Sequence, residues 1–263
     1  MQIRLMIGIS CIASMLLAGR AGAAERAVEV SNFDISLAGA YAQRKHTDST
    51  SNTGLFGGRF AFPLGEFFGA RVDAGYSQAD LNNVGSNFAE DSVIKTTSAG
   101  LGLFYRDPDV LSITLSYARD RDKVSTSGST GIPYVASAKE YAIDSRTLGA
   151  TVEGYVRQVT LTAGWNALKY EDGGGKFESA SLGARWYLTS DVSLAAGASV
   201  QLGSDVNDEL YSTGIEFQPA FFKRRAGLAF NYAWRDNSSG VVATLKYYFG
   251  NPVDLITRDR HYR

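Results

Sequence analysis

Two histidines are the only ones in the chain, and they limit the acid–base chemistry that it could perform. His46 has a carboxylate neighbour, Asp48, and such a pair could orient a water molecule or a hydroxyl group. No triad pattern surrounds it, and an isolated loop histidine is more often simply solvated. His261 lies among arginines near the end of the sequence, where solvation or contact with an anionic polymer is the better interpretation. We therefore expect no catalytic residue and no enzymatic activity.

Three other patterns could bind a ligand, and each has a simpler interpretation. Gly173-Gly174-Gly175 resembles a phosphate-binding loop but lacks the Gly-Lys-Ser/Thr ending, so a hairpin loop is favoured. The acidic residues within 205–209 do not have the spacing of a calcium-binding loop. Cys11, the only cysteine, lies in a segment that we expect to be removed, which excludes thiolate chemistry in the mature chain. We expect neither a metal nor a cofactor.

Composition indicates a sheet protein with no nucleic-acid partner. The net charge is −1 and the pI about 6.2, and no basic block interrupts the sequence. The 28 glycines, 5 prolines and 12% aromatic residues suit long strands better than helices.

The first residues have the pattern of a secretory signal peptide. Arg4 provides the positive charge, residues 5–17 form the apolar segment, and Ala21-Gly22-Ala23 provides a small-residue cleavage site. The apolar segment is too short to cross a membrane as a helix. We predict cleavage after Ala23, so that residues 1–23 are a signal peptide, residues 24–249 form the folded domain, and residues 250–263 form a C-terminal tail.

Beyond the signal, large apolar residues alternate with small or polar ones, as in residues 33–41, 111–117 and 228–234. A period of two over eight to twelve residues predicts strands with two chemically different faces. Such segments occur twelve times, near residues 32–43, 53–62, 67–78, 94–106, 110–120, 145–156, 158–169, 177–188, 192–203, 210–221, 226–235 and 239–249. The sequence therefore predicts an all-β fold of about twelve strands.

The connections between these strands fall into two classes. Every second one is short, such as residues 63–66 and 107–109, whereas the others are mostly longer and polar. Short turns at one end and long loops at the other are typical of an outer-membrane barrel with short periplasmic turns and longer extracellular loops. The longest loop, residues 121–144, is hypothesised to fold inward and narrow a pore; a surface loop is the alternative.

The two faces of the strands indicate that the apolar side meets lipid. The polar face is rich in small residues and contains scattered charges, which suits a wet lumen better than the surface of a soluble protein. Outward aromatics are predicted to form two girdles at the bilayer interfaces. The long-loop girdle is Tyr41, Tyr76, Tyr117, Trp165, Tyr211 and Trp234, and the short-turn girdle is Phe33, Phe68, Tyr105, Trp186, Phe217 and Phe249.

Parity places several charges on the inner face. We predict that the pore-lining residues are Arg59, Arg71, Asp73, Glu153, Arg185, Glu216 and Lys246. These side chains could line an aqueous channel and tune its selectivity, or they could pair with one another and fill the lumen. Abundant small inward residues favour open space, because long side chains would be needed to fill so wide a barrel.

The last strand carries a family resemblance. Its outward residues, which we take as an assembly signal, are Val241, Ala243, Leu245, Tyr247 and Phe249. A terminal amphipathic strand that ends in an aromatic residue resembles the assembly signal of bacterial outer-membrane barrels. Together with the Arg-rich tail, it is similar to the ends of porin-like proteobacterial barrel proteins of undefined function. In that family the signal commonly ends the chain, whereas here Gly250 to Arg263 follow it.

These observations predict a closed antiparallel up-and-down transmembrane β-barrel in the bacterial outer membrane. The expected function is passive diffusion of small polar solutes through a porin-like channel. The alternatives are a non-conducting scaffold, receptor or adhesion-type barrel, and, less favoured, a membrane-embedded hydrolase. Expected partners are outer-membrane lipid and lipopolysaccharide, the barrel-assembly machinery and, through the tail, peptidoglycan; the tail could instead fold under the barrel mouth. The oligomeric state is left open.

Overall fold

A computed structural model describes residues 31–44, 49–65, 67–82, 90–128, 139–171, 175–202 and 209–261. Within these ranges, twelve antiparallel strands form one closed barrel in which each strand pairs with its neighbours in sequence and the first pairs with the last. The strands are β1 (Asn32–Arg44), β2 (Thr50–Pro63), β3 (Phe68–Asn82), β4 (Glu90–Asp107), β5 (Leu111–Gly128), β6 (Lys139–Val156), β7 (Val159–Tyr170), β8 (Lys176–Thr189), β9 (Val192–Leu202), β10 (Glu209–Phe217), β11 (Ala226–Arg235) and β12 (Ser238–Tyr248). The predicted fold class and strand number are confirmed.

Closure of the sheet satisfies the backbone. β1 and β12 remain paired from Asp34 opposite Tyr248 to Arg44 opposite Ser238, so neither strand presents a free edge. An unpaired backbone group in hydrocarbon costs several kcal/mol, and only helices and closed barrels avoid that cost. Among the described residues, no helix is both long enough and apolar enough to cross a bilayer.

The barrel is inverted relative to a soluble protein. Large apolar side chains lie on the outside, where Leu37 is 59% exposed and Leu182 is 69% exposed. Aromatic residues of both predicted girdles also point outward, among them Tyr76, Trp165 and Phe68. In lipid, each large outward side chain is removed from water, which stabilises the embedded state by about 1.5–3 kcal/mol. The face assignment from the period of two is therefore confirmed.

Three strands extend well beyond the predicted boundaries. β4, β5 and β6 each contain 18 residues, and β5 and β6 remain paired up to Thr126 opposite Lys139. The prediction that residues 121–144 form one loop is therefore wrong, because residues 121–128 and 139–144 continue the sheet. The hypothesis that this loop folds inward now concerns only residues 129–138, which lie outside the described residues.

The extension has a reversed polarity. Its inner face packs Leu81, Ile94 and Val124 into a small buried cluster, and its outer face presents charges such as Lys95 and Lys123. Above the hydrocarbon, polar headgroups and water replace the lipid chains around the barrel, so the apolar side chains turn inward as in a soluble sheet. Because of this inversion, outward apolar residues mark only the lower part of these strands, and the predicted strands are too short.

The predicted tenth strand also differs in length. β10 ends at Phe217 rather than near residue 221, and Ala220–Phe222 form one turn of 3₁₀ helix. Lys223 and Arg224 then adopt positive φ angles of 50° and 59°, which reverse the chain into β11. After β12, the chain continues to a seven-residue helix, α1 (Leu255–His261), whose first turn is capped by Asp254 through the backbone N–H of Thr257 at 2.8 Å.

Candidate functional site: the inner wall and the periplasmic mouth

The seven predicted pore-lining side chains all lie on the inner wall of the barrel. Each is within six residues of the short-turn end of its strand, so together they form one charged layer in the periplasmic half. Arg71, Glu153, Glu216 and Lys246 are buried. That they line a conducting path stays a prediction, but the pairs they form are visible in detail.

One group of charges joins β2 and β3. Arg59 and Asp73 are opposite each other in the sheet, and Arg59 Nε lies 2.7 Å from Asp73 Oδ1. Arg71 Nε lies 3.1 Å from the second oxygen of the same carboxylate. A side chain at Gly102 would bring Cβ to 2.9 Å from Arg71 Nε, so the glycine provides the space in which this arginine lies. One carboxylate therefore holds two guanidinium groups.

A second group lies on β4 and β6, and the sequence analysis identified only Glu153 from it. The Tyr155 hydroxyl donates to Glu153 Oε2 at 3.3 Å. Arg106 is buried against the wall, its guanidinium 4.2 Å from the ring centroid of Phe104. That ring lies over Gly69, where a Cβ would be 2.2 Å from Phe104 Cζ. Side chains alternate between the two faces of a strand, and Tyr105 is assigned to the outer face. This assignment could have placed its neighbours Phe104 and Arg106 on the inner face.

A third group joins β8, β10 and β12 through one buried carboxylate. Glu216 accepts from Arg185 Nη1 at 2.9 Å and from Lys246 Nζ at 2.6 Å. The Tyr248 hydroxyl adds a longer contact of 3.4 Å to Glu216 Oε1. The Glu216 and Lys246 side chains are only 5% and 8% exposed, which excludes most solvent screening of this pair. The three groups form one layer that contains charges of both signs around the wall.

The tail helix brings a further carboxylate to this layer. Asp259 Oδ2 lies 2.8 Å from Arg185 Nη1 and accepts a hydrogen bond from the Tyr187 hydroxyl, also at 2.8 Å. Leu255 is fully buried, and its backbone N–H donates to the carbonyl of Ser190 at 2.7 Å. The helix is thus held inside the barrel wall at the short-turn end, the opening that we call the periplasmic mouth.

Two tail arginines fix the helix to the turns around this mouth. Arg258 is fully buried, lies 3.9 Å from the ring centroid of Tyr248, and donates to the carbonyl of Arg224 at 2.8 Å. Arg260 donates to the carbonyl of Val159 at 3.2 Å and also to that of Arg157. The tail therefore spans the mouth from β12 to the turn between β6 and β7. Within the tail predicted for residues 250–263, residues 251–261 line the mouth.

Above the charged layer, the wall becomes small and polar. A cavity of about 170 Å³ reaches from Arg59, Arg71 and Lys246 upward past Ser98, Gly100 and Asn166 to Asp120. Near its upper end, Thr96 donates to Asp122 at 2.6 Å. The lumen is thus polar and partly open above the charged layer.

The residues of the predicted assembly signal lie on the outer face of β12 and just beyond it. Phe249 packs on Phe33 of β1 and on Tyr247, with ring centroids 5.0 and 4.9 Å apart. Its role in recognition by an assembly machinery stays a prediction. These aromatic contacts instead explain how the seam between the first and last strands is covered on the lipid side.

The remaining candidates form no chemical site within the described part of the chain. His46 and most of the glycine and acidic segments lie outside the described residues. Within the described ranges, His261 ends α1 and Glu209 begins β10, where it accepts from the Tyr211 hydroxyl at 2.5 Å. The described part of the chain contains no group of three or more histidine, cysteine or acidic side chains arranged to hold a metal.

Comparison with known proteins identifies the fold. No protein-family profile matches the chain, and no curated protein matches it in sequence. Solved structures do: the β domain of the Bordetella autotransporter BrkA has a TM-score of 0.65 and 11% identity, covering 84% of this chain and 100% of that one. An outer-membrane channel from Pseudomonas putida F1 gives 0.65 and 12%, covering 88% and 98%. The translocator domain of the autotransporter NalP from Neisseria meningitidis gives 0.62 and 13%, covering 92% and 96%. The chain has the fold of the bacterial outer-membrane β-barrels, and this fold together with the outward apolar face of its strands indicates an outer-membrane location.

Proposed function

We propose that this porin-like barrel is a narrow channel for passive diffusion of small polar solutes, and that its tail helix restricts the periplasmic mouth. One observation carries the proposal: a polar lumen with a cavity of about 170 Å³ ends at a layer that contains charges of both signs. A wall of small hydroxyl and glycine residues offers hydrogen-bonding groups to water and solutes, whereas a structural core would be filled with large apolar side chains. On this view the protein has no enzymatic role.

The charges set the selectivity of such a path. Arg59, Arg71 and Asp73 border the cavity, and the Asp73 side chain is 31% exposed, so a passing solute meets groups of both signs. A mixed-charge constriction favours small neutral or zwitterionic solutes over ions of either sign, because each ion is attracted by one group and repelled by its neighbour.

The tail restricts the path from below. Its contacts with the wall include an ion pair, hydrogen bonds to carbonyls, the contact of Arg258 with the Tyr248 ring and the burial of Leu255. Such a set can be broken by a few kcal/mol, which is the range in which a short segment moves between docked and undocked states. Passage through the mouth on the tail side then requires undocking of α1.

Conductance measurements test both parts of the proposal. The full chain, the double variant Asp259→Ala/Arg260→Ala and a chain truncated after Gly250 are refolded and recorded in planar bilayers. Thr257→Ala, on the same helix, serves as the control, because its side chain forms no described hydrogen bond. We expect a small conductance for the full chain and for the control, and a several-fold larger one for the other two proteins.

Two results would contradict this reading. Absence of conductance from all four proteins would overturn the channel. Equal conductance from all four would leave the channel and overturn the role of the tail. A liposome-swelling assay with small sugars then measures whether neutral solutes pass.

A second function, a closed barrel that acts as a surface scaffold, is favoured by one specific observation. Glu216 and Lys246 are almost fully buried and bonded to each other, as expected for groups that fill a lumen. That function predicts no conductance in the bilayer recordings and unchanged cell-surface exposure of the loops after truncation of the tail.

A further inference from the structure

The outer surface of the extracellular half has an uneven distribution of charge. Outward lysines and arginines occur only on β4–β8 among the described strands; the other seven strands have none. They are Lys95, Arg119, Arg121, Lys123, Arg146, Lys169 and Lys176, and we call this set the basic sector. On strands outside the sector, the outward charges at the same end include Asp80 of β3, the strand next to β4, and Glu209 of β10; both are carboxylates. One sector of the circumference therefore collects the positive charge.

The basic sector lies immediately above the aromatic girdle. Arg119 follows the girdle residue Tyr117 by two positions on the same face of β5, about 7 Å along the strand. Lys169 follows Trp165 by four positions on β7. Aromatic girdles mark the boundary between hydrocarbon and headgroups, so the cations lie at the level of the headgroups of the outer leaflet.

The register of the sheet places like charges side by side. Arg119 is directly opposite Arg146, which is opposite Lys169, which is opposite Lys176. On the next rows, Lys95 is opposite Lys123. Directly opposed like charges destabilise a sheet, so an anion that binds between them would relieve this repulsion. The row of four spans about 14 Å across β5–β8, from three strand spacings.

Carboxylates of the barrel neutralise only part of the sector. Glu171 contacts Arg146 and lies 3.4 Å from Arg119 Nη2, while Glu178 contacts Lys176. Asp144 lies 3.9 Å from Arg119 Nη2 and is opposite Arg121 in the sheet. The hydrogen bond from Arg146 lowers the pKa of Glu171, which therefore stays ionised at neutral pH. Lys95, Arg121, Lys123 and Lys169 form no ion pair with a carboxylate in the described part of the chain. Four exposed cations thus remain available around the centre of the sector.

We propose that the basic sector binds the phosphate groups of lipid A, the phosphorylated headgroup of the outer-leaflet glycolipid. The cations of the sector are exposed and lie at headgroup level, which favours an anionic ligand that is anchored in the membrane beside β5–β7. The length of the row of four cations fits a headgroup with two phosphates. Lysine and arginine bind phosphate through charge-assisted hydrogen bonds. The site is on the outside of the wall, so the proposal is independent of whether the lumen conducts.

Binding of purified lipid A to the refolded full chain in detergent tests this site. The variant Lys123→Gln/Lys169→Gln removes two exposed cations of the sector. Lys223→Gln/Arg225→Gln removes two exposed cations of the periplasmic turn and is the matched control. Because each basic residue near an anionic membrane surface contributes about 1 kcal/mol, the first variant should bind diphosphorylated lipid A about 30-fold more weakly, and the control should bind like the wild type.

A variant that is expected to bind more tightly distinguishes phosphate recognition from a general loss of structure. Glu171→Gln removes the carboxylate that neutralises Arg119 and Arg146, so it should bind diphosphorylated lipid A several-fold more tightly. The proposal would be overturned if dephosphorylated lipid A bound as tightly as the diphosphorylated form. It would also be overturned if the control lost as much affinity as Lys123→Gln/Lys169→Gln, or if that variant kept the affinity of the wild type. Inorganic phosphate is titrated in parallel. Binding of free phosphate as tight as that of the lipid would assign the sector to a soluble anion and overturn the membrane-bound source.

Discussion

Replacement of Glu216 by alanine should destabilise the barrel by several kcal/mol. The carboxylate is 5% exposed and holds Lys246 at 2.6 Å and Arg185 at 2.9 Å. Removal of one partner of a buried ion pair costs about 3–5 kcal/mol, because the remaining charge loses the group that compensated its desolvation. Arg185 keeps its contact with Asp259 at 2.8 Å. The penalty therefore falls mainly on Lys246, and we expect a value near the lower end, about 3 kcal/mol.

An exposed pair of the same chemistry is the control. Lys176 and Glu178 also form an ion pair, but their side chains are 60% and 35% exposed. Water solvates both groups once the partner is removed, so Glu178→Ala should cost at most about 1 kcal/mol. Free energies of unfolding are measured by denaturant titration of protein refolded into lipid vesicles, with tryptophan fluorescence and the heat-dependent gel shift as two probes. Agreement of the probes justifies a two-state treatment.

The double variant Glu216→Ala/Lys246→Met completes the test. If loss of the carboxylate beside the buried ammonium is the cause, removal of both charges should recover most of the lost free energy. A loss of less than about 1 kcal/mol for Glu216→Ala, similar to the exposed control, would refute the reasoning. It would mean that water reaches Lys246 and that the charged layer is wet rather than packed.

Three further predictions concern the wall, the tail and the outer surface. Gly69→Ala should destabilise the barrel by about 1–3 kcal/mol, because its Cβ would lie 2.2 Å from Phe104 Cζ, whereas Gly39→Ala meets no atom within 4 Å and should be tolerated in the same unfolding assay. Leu255→Asp should undock α1, because the side chain is fully buried, and mass spectrometry should then detect tryptic cleavage at Arg258 and Arg260 that the wild type resists. The lowered pKa of Glu171 means that its contribution to stability is present above the unfolded pKa of about 4.3 and is lost as the pH falls through the folded value; the difference in unfolding free energy between wild type and Glu171→Gln should therefore vanish in acid.

The strands and their faces could be predicted from sequence because side chains alternate with a period of two along a strand. Once Leu115 and Tyr117 are assigned outward, Thr114 and Ser116 must point inward, and the same parity carries Arg71 and Asp73 to the inner wall. The lipid requirement makes this alternation strong inside the bilayer. Above the hydrocarbon the alternation reverses, and β5 continues with Val124 inside and Lys123 outside, so outward apolar residues no longer mark the strand.

The partners of the inner charges could not be predicted from sequence. Arg185 and Asp259 are 74 residues apart, and nothing in the local pattern of either residue indicates the other. For the Arg-rich tail, the sequence leaves two locations open, contact with peptidoglycan or a position under the barrel mouth. In the structure Arg258 lies on Tyr248 at the mouth, where an aromatic face and backbone carbonyls bind the guanidinium without a carboxylate. Such partners depend on the three-dimensional arrangement of turns.

The docked tail follows from the composition of the wall that receives it. Arg185 and Lys246 approach the same carboxylate of Glu216 from two strands, so two positive charges converge on one negative charge in a buried layer. Asp259 brings a second negative charge to Arg185, and burial of Leu255 in the mouth adds an apolar contribution. The wall therefore favours the docked tail electrostatically, and neutralisation of Arg185 should weaken docking even though the helix itself is unchanged. Tryptic cleavage at Arg260 should accordingly be faster in Arg185→Met than in the wild type, and an equal rate would show that Leu255 and the carbonyl contacts hold the tail without the ion pair.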